Sequence, residues 1–176
     1  MKIVKEEVTK VSKLGFTLVE TLLYLAITST ILLVVFMFVG LMLEARIKFQ
    51  AIAEVEQQGT FVMQTILKNI KTAQSVNYPA VGESSDSLSL TSLNFQDNPI
   101  IFNENAGLIT QRVGNLYESN LLASNVHITS ISFLNASRPN TPGVVRVQFS
   151  LQYNGSQNQQ YSNYQAEFEG SASLVQ

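Results

Sequence analysis

Lys13-Leu14-Gly15-Phe16-Thr17-Leu18-Val19-Glu20-Thr21-Leu22-Leu23 carries the chain from a basic leader into an apolar run that ends at Leu43. The 23 positions 21–43 hold no charge and are bounded by Glu20 and Glu44. At about 1.5 Å per residue, a helix of that length reaches roughly 34 Å, enough for a hydrocarbon core of about 30 Å. A secretory signal has an apolar region of only about 7–15 residues followed by a small-residue cleavage site. This run is longer and flows into Glu44-Ala45-Arg46-Ile47-Lys48 without such a site, so it reads as a retained membrane helix. Thr28, Ser29 and Thr30 lie inside it, where hydroxyls bond carbonyls one turn back.

The flanks set the expected orientation. Lys2, Lys5, Lys10 and Lys13 precede the run, against Arg46 and Lys48 after it. Lys and Arg near the ends hold a flank in the cytoplasm, whereas Glu6 and Glu7 count for little. The predicted topology is a cytoplasmic start and an exported remainder. Glu20 stands at the edge of the apolar phase, and central acidic residues there cost about 2.5–3.5 kcal/mol on insertion scales. It either marks the membrane–water boundary or has a functional partner.

Composition narrows the function classes. The 176 residues fit one domain with a real core. Charged residues make up 14% of the chain, under the roughly 25% of ordinary soluble domains; Ser, Thr, Asn and Gln take their place. Eleven Lys+Arg against 13 Asp+Glu give a net charge of −2, which disfavours non-specific nucleic-acid binding. The chain has no Cys and one His. Disulfides, thiolate sites and Cys nucleophiles are excluded, and a zinc enzyme is improbable.

The junction at positions 13–23 resembles the class III leader of type IV pilins and pseudopilins: basic leader, Gly, Phe-Thr-Leu-Val-Glu, then an uninterrupted apolar helix. The resemblance covers about the first 45 residues. It implies a membrane-embedded aspartyl prepilin peptidase that cuts between Gly15 and Phe16 and then methylates the new Phe16 amine. The small Gly15 suits close approach by a peptidase, although on its own it also reads as a hinge before an anchor. The acidic residue of the family's mature helix falls on Glu20. Cleavage would create a Phe16 ammonium near one helical turn from Glu20, and Glu20 could pair with that ammonium or with the same group on a neighbouring subunit. Many major pilins carry a Pro where this helix has Met37; Gly40 is its weak point instead.

Beyond Glu44 the pattern turns amphipathic. Ile52, Val55, Gly59, Val62, Ile66, Ile70 and Ala73 form a helical stripe, with Glu54, Gln57, Gln64, Lys68 and Lys71 off it. Gly59 interrupts an otherwise apolar line. Pro79 stops the pattern and pushes Tyr78 towards extended geometry. One helix is expected from Phe16 to about Val76, roughly 90 Å by helical rise. Its stripe would be covered by the chain's own sheet.

The expected organisation is a cleaved leader (1–15), a transmembrane and assembly half-helix (16–43), an amphipathic half-helix (44–78) and a β-rich exported part (79–176). Positions 81–86 read as a polar connector. Leu88 and Leu90 alternate with Ser, and Asn103-Glu104-Asn105-Ala106-Gly107 reads as a hairpin turn between apolar strands. Val126 and Ile128 have opposite parity to Ile131 and Phe133, which predicts a bulge near Thr129-Ser130. Val145, Val147, Phe149, Leu151 and Tyr153 alternate with outward Arg146, Gln148, Ser150 and Gln152. Positions 154–160 read as a polar loop before a returning strand with Tyr164, Ala166, Phe168, Ala172 and Leu174. The predicted class is α+β, a long helix packed by an antiparallel sheet. This strand order and the Phe168-Glu169-Gly170-Ser171-Ala172-Ser173-Leu174 ending also resemble J-type minor pseudopilins of type II secretion and related minor pilins.

Chemistry-bearing constellations are weak. His127 sits in Val126-His127-Ile128 and is predicted to face solvent. The acidic residues Glu83, Asp86, Asp97, Glu104, Glu118, Glu167 and Glu169 are scattered. Glu83 and Asp86 lack the spacing of a regular calcium loop. Asn135-Ala136-Ser137 and Asn154-Gly155-Ser156 match glycosylation sequons, as chance allows in so Asn- and Ser-rich a chain. No catalytic residue, metal ligand or cofactor site is assigned.

The resemblance therefore implies a non-enzymatic minor pilin or pseudopilin that helps initiate or cap a fibre in a type II secretion, type IV pilus or competence machine. Its partners would be prepilin peptidase, other major and minor pilins through the N-terminal helix, and an inner-membrane assembly platform. An adhesive or DNA-uptake tip subunit and a membrane-anchored exported hydrolase are the alternatives. Removing residues 1–15 subtracts four Lys and two Glu, leaving seven basic against 11 acidic residues and a net charge of −4. That charge disfavours DNA capture, and no specific nucleic-acid partner is expected.

Overall fold

A computed structural model describes residues 15–116, 118–138, 143–154 and 164–174. The leader lysines, the polar loop at 155–160 and the second sequon beyond Asn154 lie outside these residues. The chain divides into two compact units between Ala45 and Arg46.

In the first unit, helix α1 (Leu18–Thr72) begins. Every residue from Thr21 to Ala45 is exposed, and this part of α1 is long and apolar enough to cross a membrane. The Ser29 and Thr30 hydroxyls donate to the Ala26 carbonyl at 3.0 and 2.9 Å, which satisfies them without a partner helix. The helix runs through Gly40 without a break.

In the second unit, α1 buries Ala51, Val55, Gly59, Val62, Ile66 and Ile70. This is the predicted stripe, except that Ala51 is buried at its start and Ile52 only half-buried. The helix ends at Thr72, not near Val76, and Ala73 opens strand β1 (Ala73–Tyr78) directly. Strand β1 pairs with β3 (Leu88–Ser92) from Ala73↔Ser92 to Tyr78↔Ser89. This pairing recruits a segment whose Val and Tyr favour strand geometry. Thr72 Oγ1 donates back to the Lys68 and Asn69 carbonyls, satisfying acceptors of the last turn.

The other strands are β2 (Ser84–Ser85), β4 (Ile100–Asn105), β5 (Leu108–Val113), β6 (Ser119–Asn120), β7 (Val126–Asn135), β8 (Val144–Tyr153) and β9 (Gln165–Ser173). They form two antiparallel sheets instead of one, ordered β1-β3-β4-β5-β6 and β2-β7-β8-β9. The predicted connector at 81–86 contributes β2, which pairs with Leu134 and Phe133. The β4–β5 turn is tighter than expected. Ala106 and Gly107 both have positive φ, 51° and 78°, the signature of a two-residue primed turn. The Gly107 amide donates to Glu104 Oε1 at 2.8 Å.

The bulge appears where the parity change put it, as a register shift between Ile128 and Ser130. It returns Val126, Ile128 and Phe133 to the core. Val145, Val147, Phe149 and Leu151 are buried as predicted. Ser150, expected outward, is buried; it lies opposite the bulge, where the Thr129 hydroxyl donates to its carbonyl at 3.3 Å. Helix stripe and both sheets share one core that includes Ile66, Ile70, Leu88, Phe102, Phe133 and Phe149. At its edge the Tyr164 hydroxyl donates to Glu56 Oε1 at 3.1 Å, tying the approach to β9 to the helix. Partial desolvation, then the hydrogen bond and charge of Glu56, raise the Tyr164 phenol above its ordinary value.

Candidate functional site at the start of the helix

Gly15, Phe16 and Thr17 precede the helix in non-helical backbone and are exposed. The Gly15–Phe16 bond is thus presented outside hydrogen-bonded structure, the setting in which chains are cut most readily. Among the described residues nothing lies within 4 Å of where a Gly15 side chain would begin. The fold itself does not require glycine there, so any requirement comes from an outside agent.

Thr17 ends this segment by capping the helix. Its Oγ1 accepts from the Glu20 amide at 3.3 Å, and its carbonyl accepts from the Thr21 amide at 3.2 Å. Thr17-Leu18-Val19-Glu20 has the Thr-x-x-Glu spacing of a capping box, and Glu20 is the acidic residue of the first turn, where negative charge complements the helix dipole. The cap was legible in the sequence as that four-residue spacing, but the apolar pattern alone does not reveal it.

Glu20 is half-buried while its neighbours are exposed. Tyr24, one turn on, covers it and donates its hydroxyl to Glu20 Oε1 at 3.3 Å. The Tyr24 ring also meets the Phe16 ring edge-on, with centroids 6.0 Å apart and planes at 70°. Phe16, Glu20 and Tyr24 therefore share one face at four-residue intervals. Tyr24 is absent from the sequence-derived site; its signal was the i+4 spacing from an acidic residue inside an apolar run.

The remaining candidates do not converge. His127 is half-buried instead of solvent-facing: its Nε2 lies 3.1 Å from Asn154 Nδ2, and its Nδ1 is buried with no partner among the described residues. Asp86, Glu104 and Glu118 line an open polar depression of about 250 Å³ with Ser87, Asn103 and Asn105; Glu83 is not part of its lining. Among the described residues no three His, Asp or Glu side chains gather as metal ligands would. The first sequon is structural: Asn135 is 2% exposed, and its amide donates to the Pro79 carbonyl at 2.9 Å.

No family model, curated protein or solved structure matches this chain.

Proposed function

We propose that this chain is a non-enzymatic minor pilin or pseudopilin, cut between Gly15 and Phe16 by a prepilin peptidase and methylated on the new Phe16 amine. The observation that carries the reading is one of placement. The exposed Gly15–Phe16 bond stands just outside a capped helix start, with Glu20 in the first turn of an exposed apolar helix. In this reading the apolar half of α1 spans the cytoplasmic membrane and packs among the helices of sibling pilins, while residues after Ala45 are exported. The assembly platform in the inner membrane would add the subunit to a fibre.

Processing is the direct test. Co-expression with a prepilin peptidase should shorten the chain by residues 1–15, read by intact mass, and Gly15→Val should abolish the shortening. Because the structure leaves free space at position 15, the variant should fold and insert normally. Full-length mass in the presence of an active peptidase defeats the proposal.

Orientation is tested separately. A reporter fused after Gln176 should be active only as an exported protein, and one placed before Met1 only in the cytoplasm, as the basic leader requires. The opposite pattern would remove the leader from reach of a peptidase acting at the cytoplasmic face.

A further inference from the structure

We infer that Tyr24 is a positioning residue that holds the Glu20 carboxylate in lipid for a terminal ammonium. The inference rests on the proposed cleavage for the ammonium, but the Tyr24–Glu20 contact exists in the full-length chain.

An ionised carboxylate is an acceptor only, with about four lone-pair sites over two oxygens. In hydrocarbon no water fills those sites, and an unmet polar group is costly. An α-ammonium alone leaves part of this demand unmet. Tyr24 supplies a donor from the same helix, its hydroxyl reaching Glu20 Oε1 at 3.3 Å. Direction favours the arrangement: helical side chains lean towards the N-terminus, so Tyr24 leans over Glu20 and Glu20 leans towards Phe16. The Tyr24 ring also meets Phe16 edge-on beside the carboxylate. Glu20 is accordingly half-buried in a stretch that is otherwise exposed. A phenylalanine at position 24 would keep the ring contact and lose the donor.

Two readouts test the inference on the full chain. The first is the infrared carboxylate stretch of a singly labelled Glu20 in phospholipid vesicles, compared between wild type and Tyr24→Phe. The band should move on losing the hydroxyl, in processed chain and in uncleavable Gly15→Val alike. An unmoved band overturns the inference. Its independence from cleavage separates this failure from failure of the pilin reading.

The second is a cross-linking cycle. The chain has no native Cys, so one Cys introduced at Val34 reports contact with sibling pilins cleanly. Tyr24→Phe should leave insertion and processing intact and lower the cross-link yield about tenfold, the scale of a hydrogen bond to a charged group. In a Glu20→Gln background the same change should have no further effect, since Tyr24 acts through the carboxylate. Additive losses, or wild-type yield in Tyr24→Phe, overturn the inference. Pairing a Gly15→Val chain that keeps Glu20 with a processed Glu20→Gln chain identifies the source of the ammonium. Retained cross-links assign it to the neighbour, and lost ones to the same chain. In pairs of a wild-type chain with a processed Glu20→Gln chain, the Tyr24→Phe loss must follow the chain that carries Glu20, and a loss that follows the other chain overturns the inference.

Discussion

Gly59→Val should destabilise the unit that begins at Arg46 by about 2 kcal/mol, lowering its melting temperature by roughly 5–10 °C. A Cβ at this position would stand 2.1 Å from Phe168 Cζ and 2.3 and 2.5 Å from its two Cε atoms. To make room the half-buried ring must leave its stack at 5.3 Å and 24° on Phe149, which is fully buried. Overfilling a packed interface costs about 1–3 kcal/mol. Leaving glycine for a better helix former returns only a few tenths of a kcal/mol in the case of valine. Steric overlap therefore outweighs helix propensity. Thermal melting of the detergent-solubilised chain, monitored by circular dichroism, measures the loss. Truncating Phe168 to alanine in the same chain should recover at least about 1 kcal/mol of it as a coupling between the two sites. Unchanged melting, or strictly additive losses, would show that the ring is not what excludes a side chain at 59.

In the proposed pilin role, Glu20→Val should separate insertion from assembly. Insertion should survive, because the substitution removes an apolar-phase penalty and lengthens the uncharged run. The Gly15–Phe16 bond and the Thr17 cap do not depend on the carboxylate, since Thr17 Oγ1 receives the Glu20 backbone amide. Processing should therefore persist. What is lost is the carboxylate in the first turn of α1 that can meet a Phe16 ammonium in lipid. An uncompensated charge in an apolar setting costs about 3–5 kcal/mol, so cross-linking to sibling pilins and fibre number should fall by about a hundredfold to a few thousandfold. Cross-link yields and fibre counts at wild-type level in Glu20→Val, with Glu20→Asp behaving alike, would reduce Glu20 to a marker of the membrane boundary.

Local rules reached far into this fold. The spacing of Val55, Gly59, Val62, Ile66 and Ile70 located the helix face, and the parity change between Ile128 and Ile131 located a bulge to within one residue. Both follow from side-chain periodicity and need no knowledge of partners. Features set by distant residues were not legible. Ala73 fits the helical stripe but pairs with Ser92, so the helix stops where a strand captures the chain. Ser150 alternates as an outward residue but faces the closed side of a bulge on β7. The division into two sheets depends on which strands meet, and alternation cannot report that. In the candidate site, Gly15, Phe16 and Glu20 stood out by residue type and order. Thr17 and Tyr24 are ordinary residues for a helix start and an apolar run, and only their hydrogen bonds set them apart.

The tie between Tyr164 and Glu56 joins residues 108 positions apart, and Phe168 lies just beyond it against Gly59. During synthesis the helix stripe leaves the ribosome long before β9, whose Phe168 packs on Gly59, has been made. For that interval Gly59 is not covered by Phe168, and the shared core lacks Ala172. Contacts of such long separation must close a large loop before they return any stabilisation, which makes folding slow and leaves apolar surface open to aggregation. The sparse charge of the chain offers little electrostatic protection in that window. A truncation that removes β9 should therefore be degraded or aggregate even though it leaves the helix sequence intact.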